Sequence, residues 1–313
     1  MKKLVLSTFV ALFAISASFA QTVETATELY NAGATELNAG NMATALENFE
    51  KALAEAEIIG FDAEEVANNC KAVIPTIYLH IGKEYGVAKN LDKAVETLKI
   101  AIEKGADFGD DNVVAEATSL IPQLFIQNGN EKLNAKDYEA AVGAYLAALD
   151  FDGNNAMAWL RLGMASSRTS NDEQTVNAFT KAAELGQKAN ADKQLSGFYL
   201  TKANKARQAK DFTGAMDYAS KANQIEENAT AHKIYAIAAI SAKKNAEAVV
   251  SLEAYLAMSP NANDANQMKY YAATAYEALG QADKACGYYR AILTDPQFAE
   301  YAKHKVEVEL KCK

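Results

Sequence analysis

The sequence predicts an all-α protein assembled from repeated helical hairpins. Only 4 of its 313 residues are proline and 16 are glycine, which disfavours the turn-rich β-sandwiches and β-barrels. Half of the residues are hydrophobic, so the chain has the material for a core and does not have the composition of a disordered protein. Small and large apolar residues also recur at a fixed spacing, which is typical of repeat architectures.

The first twenty residues are typical of a secretory signal peptide. Lys2 and Lys3 precede an apolar stretch from Leu4 to Phe19, and Ser18 and Ala20 supply the small residues that a signal peptidase requires. We expect cleavage after Ala20 and export to the periplasm, the cell envelope or the medium. An uncleaved membrane anchor is the alternative, although 16 apolar residues fall short of the roughly 20 that span a bilayer.

The mature chain, 21–313, is predicted to be a continuous helical array without a transmembrane segment. Its cysteines are Cys70, Cys286 and Cys312, and none has the close spacing of a zinc or thioredoxin-type motif. An odd number leaves at least one thiol unpaired within the chain. We expect Cys70 to be a buried apolar residue, and whether Cys286 pairs with Cys312 is left open.

One spacing pattern occurs seven times along the mature chain. In the unit that begins at Ala26, small residues stand at Gly33, Ala45 and Ala52, and an aromatic residue stands at Phe49. These are positions 8, 20, 27 and 24 of a repeat of 34 residues. The units begin at about residues 26, 75, 122, 156, 196, 229 and 266. This pattern resembles the tetratricopeptide repeat (TPR) family, particularly an exported bacterial member.

The resemblance implies a right-handed superhelical α-solenoid of about seven helix-turn-helix units. In each unit, helices A and B approach closely at the small residues of positions 8 and 20, and the large residue at position 24 fills the space beside them. Stacking of neighbouring units then builds a continuous core. The last two units depart from the pattern, because Tyr255 and Ile292 stand where position 27 should be small.

Two prolines and the chain end interrupt the regular repeat. The first three units are 49 and 47 residues apart, and the extra residues look helical and lead into Pro75 and Pro122. We expect single long helices kinked at these prolines. The alternative is two helices, with proline at the first position of the second. Residues 297–312 are predicted to form a capping helix with Phe298 and Val308 on its apolar face.

The charge balance and the reactive residues exclude several classes of function. The net charge of −9, from 31 basic and 40 acidic residues, argues against a nucleic-acid partner. His80, His232 and His304 are far apart, and no GxSxG, HExxH, P-loop or GxGxxG motif occurs. We therefore expect no enzymatic activity, no metal site and no cofactor.

The resemblance implies that the A helices line a groove that binds a protein or peptide partner. The predicted partner-binding residues come from positions 5 and 9 of the repeats, where apolar side chains are accompanied by amides and one lysine. They are Leu79, Lys83, Ile126, Asn130, Leu160, Met164, Leu200, Asn204, Ile237 and Tyr270. Amide side chains can hydrogen-bond the backbone of an extended segment.

Two alternatives remain open for this groove. The apolar side chains at position 5 can instead be buried between units, and the groove can instead hold a small ligand such as a glycan or lipid. The lysine and asparagine clamp with which some members of the family bind an acidic C-terminus is absent, because no unit carries both residues at positions 5 and 9. The sequence makes no prediction of the oligomeric state.

Overall fold

The computed structural model describes residues 22–313, and the predicted signal peptide lies outside this range. Within it, the regular structure is helical and contains no strand. This confirms the all-α class. The described residues divide into two compact units, 22–125 and 126–313, with the division inside the fifth helix.

The first unit is built from two helical hairpins and the beginning of a third. Its helices are α1 (Val23–Asn38), α2 (Met42–Ile59), α3 (Glu64–Val87), α4 (Leu91–Phe108) and α5 (Asp111–Asn134), of which α5 continues past the division. Helix α1 packs on α2, α2 on α3 and α3 on α4. A Cβ placed on Gly33 would lie 3.0 Å from the ring of Phe49, so positions 8 and 24 of the repeat meet as the pattern predicts.

The second unit continues the same arrangement. Its helices are α6 (Tyr138–Phe151), α7 (Ala156–Ser166), α8 (Asp172–Ala182), α9 (Lys188–Gln208), α10 (Phe212–Ile225), α11 (Ala229–Ser241), α12 (Asn245–Met258), α13 (Ala265–Ala278), α14 (Ala282–Arg290) and α15 (Ala299–His304). Helices α7 and α8, α9 and α10, α11 and α12, and α13 and α14 form hairpins, and each hairpin packs on the next. The core therefore runs along the stack.

The turn inside the hairpins repeats one local conformation. The residue two positions before the second helix is left-handed, with φ from 59° to 82°, at Gly40, Lys89, Lys136, Lys210, Lys243 and Gly280. Glycine adopts this conformation without the steric cost that a side chain brings. The next residue is often an N-cap, and Asn90, Asp137 and Asp211 each accept a hydrogen bond from a backbone N–H three residues ahead.

Helices α3 and α5 both continue through their prolines. Pro75 lies inside α3 and Pro122 inside α5, and each helix has 24 residues. The single long helix is therefore the observed arrangement, and the split into two helices is not. Another irregularity was not predicted. Gly186, with φ of 99°, breaks the helix after α8, so α9 begins at Lys188, eight residues before the expected start of its unit.

The C-terminal helix is fastened to the last hairpin by aromatic stacking and by a disulfide. The Phe298 ring stacks on Tyr270 with centroids 4.9 Å apart, and Cys286 is bonded to Cys312. Val308 is 55% exposed, so the expectation that it faces the core is wrong. The helix widens into a turn of π type over Lys305–Glu309, and Val308 lies within this turn.

Lys305 occupies the inward position instead. It is 8% exposed and forms ion pairs with Glu277, at 2.7 Å, and with Glu309, at 2.5 Å. These carboxylates raise the pKa of Lys305 well above its ordinary value, through the hydrogen bond to Glu277 first. The paired charge explains how a lysine is tolerated in the interior of the chain end.

Candidate functional site

Two of the predicted binding residues are core residues. Leu79 is 4% exposed and packs with Leu98 and Ile121, and Leu160 is 7% exposed and packs with Phe179. Both side chains are enclosed by apolar neighbours from adjacent helices. Both leucines are enclosed in the core, the arrangement that the alternative of burial between units describes.

Several other predicted residues are engaged within the chain. Lys83 forms an ion pair with Glu116 at 2.7 Å. Asn130 accepts a hydrogen bond from the hydroxyl of Tyr145 at 2.8 Å, and Tyr270 is stacked on the C-terminal helix as described above. Ile126, Met164 and Leu200 are half-buried, and the last two pack against buried residues of the second unit. These side chains hold the hairpins together.

The structure brings the remaining two, Asn204 and Ile237, together in one cleft. It lies between α9, α11 and the end of α12, and its volume is about 470 Å³. We call it the α9–α11–α12 cleft. The residues that determine its chemistry are Asn204, Arg207, Lys233, Ile234, Ile237 and Tyr255.

The helical periodicity explains why these side chains converge. Asn204 and Arg207 are three residues apart on α9, and Lys233 and Ile237 are four apart on α11, so each pair lies on one face of its helix. The start of α11 is fixed by Asn228, whose side chain accepts a hydrogen bond from the backbone N–H of Ala231 at 2.9 Å. The cleft is therefore positioned by rigid elements.

A small polar network neutralises one side of the cleft. Lys233 forms an ion pair with Asp264, and the Tyr255 hydroxyl donates a hydrogen bond to the same carboxylate. Burial alone would raise the pKa of Asp264, but the hydrogen bonds from Lys233 and Tyr255 hold it below its ordinary value. Burial and the neighbouring carboxylate raise the pKa of Tyr255 to about 12, so its hydroxyl stays protonated and donates.

Arg207 is the unsatisfied group on the other side. Its Nε is buried and has no hydrogen-bond partner among the described residues. None of the described residues hydrogen-bonds the Asn204 amide either. Buried donors in native proteins are almost always paired, and a guanidinium carries five N–H donors and no acceptor. The cleft thus offers a charged donor, an amide and the apolar side chains of Ile234 and Ile237 to a ligand.

Sequence reasoning missed Arg207 and Lys233, which both line the cleft. Arg207 is position 12 of the fifth unit, and Lys233 is position 5 of the sixth. The available signal for Lys233 was its charge, because position 5 is apolar in most other units. The signal for Arg207 was its separation of three residues from Asn204.

Residues 22–313 contain neither a metal-binding cluster nor a helix suited to a bilayer. In this range no group of three or more histidine, cysteine, aspartate and glutamate side chains is placed to hold a metal ion. No helix in the same range has the length and the apolar character required to cross a membrane.

No protein-family model matches the sequence, and no curated protein matches it. Among solved structures, the chain is similar to YrrB, described as a TPR protein with an unusual peptide-binding site, at 18% identity, over 57% of this chain and 90% of that one, with a TM-score of 0.35. It is similar to the TPR domain of P58(IPK) at 15% identity, over 91% and 98% of the two chains, with a TM-score of 0.31. A tetratricopeptide repeat protein from Parabacteroides merdae matches at 13% identity, over 91% and 98%, with a TM-score of 0.27.

The repeat spacing and the hairpins of the chain itself define its class. Large residues at position 24 pack against the glycines at position 8 in successive hairpins. In the pair of Gly163 and Phe179, a Cβ on the glycine would lie only 2.6 Å from the ring. The protein is an all-α protein built from repeated helical hairpins.

Proposed function

We propose that the protein is an exported scaffold that holds an extended segment of a partner protein in the α9–α11–α12 cleft. The observation that carries this proposal is the buried, unpaired Nε of Arg207 beside the unengaged amide of Asn204. A backbone carbonyl of the partner would accept a hydrogen bond from the guanidinium of Arg207 or from the amide of Asn204. Burial of Arg207 without such an acceptor is unfavourable. A partner carbonyl that pairs with it would therefore contribute more to the free energy of binding than a hydrogen bond at an exposed surface does.

The chemistry of the cleft also describes the bound segment. Ile234 and Ile237 offer an apolar surface to one side chain of the partner, and the donors fix the adjacent backbone. Lys233 is already paired with Asp264, so it does not add a free charge. Over longer distances, the net charge of −9 favours approach of a neutral or basic partner.

Two features support export. The N-terminal sequence has the layout of a signal peptide, as argued above. Cys286 and Cys312 are joined in a disulfide, and structural disulfides persist mainly in oxidising compartments outside the cytosol. N-terminal sequencing of the protein purified from its host checks this part. We expect Gln21 as the first residue, and Met1 on the mature protein would contradict export by cleavage.

The binding proposal is tested by capturing partners from a cell-envelope extract with tagged protein and measuring their affinity for variants. We expect Arg207→Ala to weaken binding about tenfold or more, because a hydrogen bond to a charged group contributes roughly 1.5–3 kcal/mol. Asn204→Ala should weaken binding by a smaller factor. The matched controls are Lys193→Ala and Asn190→Ala, which change exposed residues of α9 outside the cleft.

Circular dichroism separates a binding effect from unfolding. Arg207 and Asn204 are half-buried, so both variants should retain the helical spectrum. If they fold and bind the partner as tightly as the two controls do, the α9–α11–α12 cleft is not the binding site.

A further inference from the structure

A second cleft in the same unit has a different chemistry. It lies between the turn that follows α7, the start of α8 and one face of α9, and its volume is about 350 Å³. We call it the α7–α9 polar cleft. Most of its lining is polar. Its charged residues are Arg168, Asp172, Lys202 and Lys205, with hydroxyl and amide side chains around them.

The cleft is positively charged although the chain is acidic. Arg168, Lys202 and Lys205 line it, and Asp172 is the one carboxylate among its described lining residues. Asp172 forms an ion pair with Lys202. No described carboxylate pairs with Arg168 or Lys205, so two positive charges remain uncompensated. In a protein with a net charge of −9, such a local concentration of charge favours an anionic ligand.

The hydroxyl groups define the rest of the ligand. Ser167 donates its hydroxyl hydrogen to the carbonyl of Met164 at 2.8 Å, and Thr201 donates to the carbonyl of Gly197 at 3.0 Å. With their hydrogens used, both oxygens can only accept further hydrogen bonds. A ligand that fits must therefore bring donors as well as negative charge, and sugar hydroxyls are such donors.

An aromatic ring completes the lining. Phe198 is half-buried, and Gly197 leaves open space beside it, since a Cβ on this glycine would meet nothing within 4 Å. A flat apolar ring beside convergent polar groups is a common composition of small-molecule sites. It gives a surface on which the C–H face of a sugar can pack.

We propose that the α7–α9 polar cleft binds a saccharide that carries a phosphate or sulfate group. Arg168 and Lys205 hold the anionic group through charge-assisted hydrogen bonds. The oxygens of Ser167 and Thr201 accept hydrogen bonds from the sugar hydroxyls, and the ring of Phe198 packs against the sugar. This site is separate in its lining from the α9–α11–α12 cleft and does not depend on the partner-binding proposal.

The proposal is tested by calorimetric titration of the full protein at fixed ionic strength with glucose 6-phosphate, glucose 6-sulfate, glucose and inorganic phosphate. We expect saturable binding of at least one anionic sugar, with glucose and inorganic phosphate binding at least tenfold more weakly. Absence of binding by both anionic sugars would overturn the proposal. Equal affinity for glucose or for inorganic phosphate would overturn it as well.

Variants decide whether the cleft is the site. Combined Arg168→Ala and Lys205→Ala should weaken binding at least tenfold. The control combines Lys188→Ala and Lys193→Ala, which removes the same charge from exposed positions of α9 outside the cleft. Equal loss in both double variants would show a general charge effect and contradict the assignment.

A variant without any change of charge gives an independent readout. Thr201→Val keeps the shape of the side chain but removes the hydroxyl oxygen, and we expect it to weaken anionic sugars several-fold while leaving inorganic phosphate unaffected. An unchanged affinity for the anionic sugars would contradict the role of the hydroxyl.

Discussion

The close approach of helices A and B makes a sharp prediction about Gly163. A Cβ on this residue would lie 2.6 Å from Cδ1 and 2.7 Å from Cε1 of Phe179, whose ring is 1% exposed. Carbon atoms normally pack about 3.5–4.0 Å apart, so the ring must retreat by about 1 Å into a filled core. Overpacking of this kind costs about 1–3 kcal/mol.

The matched control for Gly163→Ala is Gly143→Ala. Gly143 also lies inside a helix, but a Cβ there meets nothing within 4 Å. Both variants gain the same helix propensity, about 1 kcal/mol, so this gain cancels when the two are compared. We expect Gly143→Ala to be stabilising and Gly163→Ala to be less stable than it by about 2 kcal/mol.

Native-state hydrogen exchange is the appropriate assay, because damage in a repeat array spreads mainly to neighbouring units. Gly163→Ala should accelerate exchange in α7 and α8, while Gly143→Ala should not. In a Phe179→Ala background, the cost of Gly163→Ala should shrink, since the clashing side chain is gone. Equal stability of the two alanine variants would refute the contact between positions 8 and 24.

Three further predictions concern the cysteines and one carboxylate. Combined Cys286→Ser and Cys312→Ser should destabilise the C-terminal helix by about 3–4 kcal/mol, the loop-closure value for a disulfide spanning this length, and unchanged hydrogen exchange in α15 would contradict it. Cys70 is fully buried, and burial raises its pKa to about 11, so it should resist iodoacetamide at pH 8 in the folded protein and react after unfolding; rapid labelling of the native protein would show that the site is open. The pKa of Asp264 lies below its ordinary value of 3.8, so its contribution to stability is present above about pH 4 and is lost as the pH falls further. Asp264→Asn should therefore lower the melting temperature at pH 7, and this effect should shrink as the pH falls below about 4; an effect that stays constant throughout the acid range would disprove the linkage.

The spacing of small and large residues predicts the hairpins well because it reflects direct packing. Position 8 and position 24 touch, as Gly33 and Phe49 show, so their sequence separation reports a real contact. The break before α9 was not predictable in this way. It depends on the left-handed backbone of Gly186, and a glycine inside a helical pattern does not by itself indicate whether the helix ends there.

The candidate site was predicted less well, for a physical reason. Leu79 and Leu160 carry the apolar pattern expected of a groove, but an apolar side chain at a seam between hairpins is equally suited to burial. The period of a helix tells which residues share a face and does not tell how much of that face the next hairpin covers. Arg207 is the opposite case, a site residue that the pattern did not indicate. It stands out because its buried Nε has no hydrogen-bond partner among the described residues, and only the three-dimensional structure shows this.

Site-specific photo-crosslinking tests the central proposal most directly. A photoreactive amino acid is placed at Thr230, an exposed residue that lines the α9–α11–α12 cleft, and at Gly143, an exposed residue of α6 outside it. Each protein is irradiated in the cell envelope, and cross-linked proteins are identified by mass spectrometry. The proposed function predicts a specific partner cross-linked from position 230 and absent from position 143. A partner captured from position 143 and not from position 230 would contradict it.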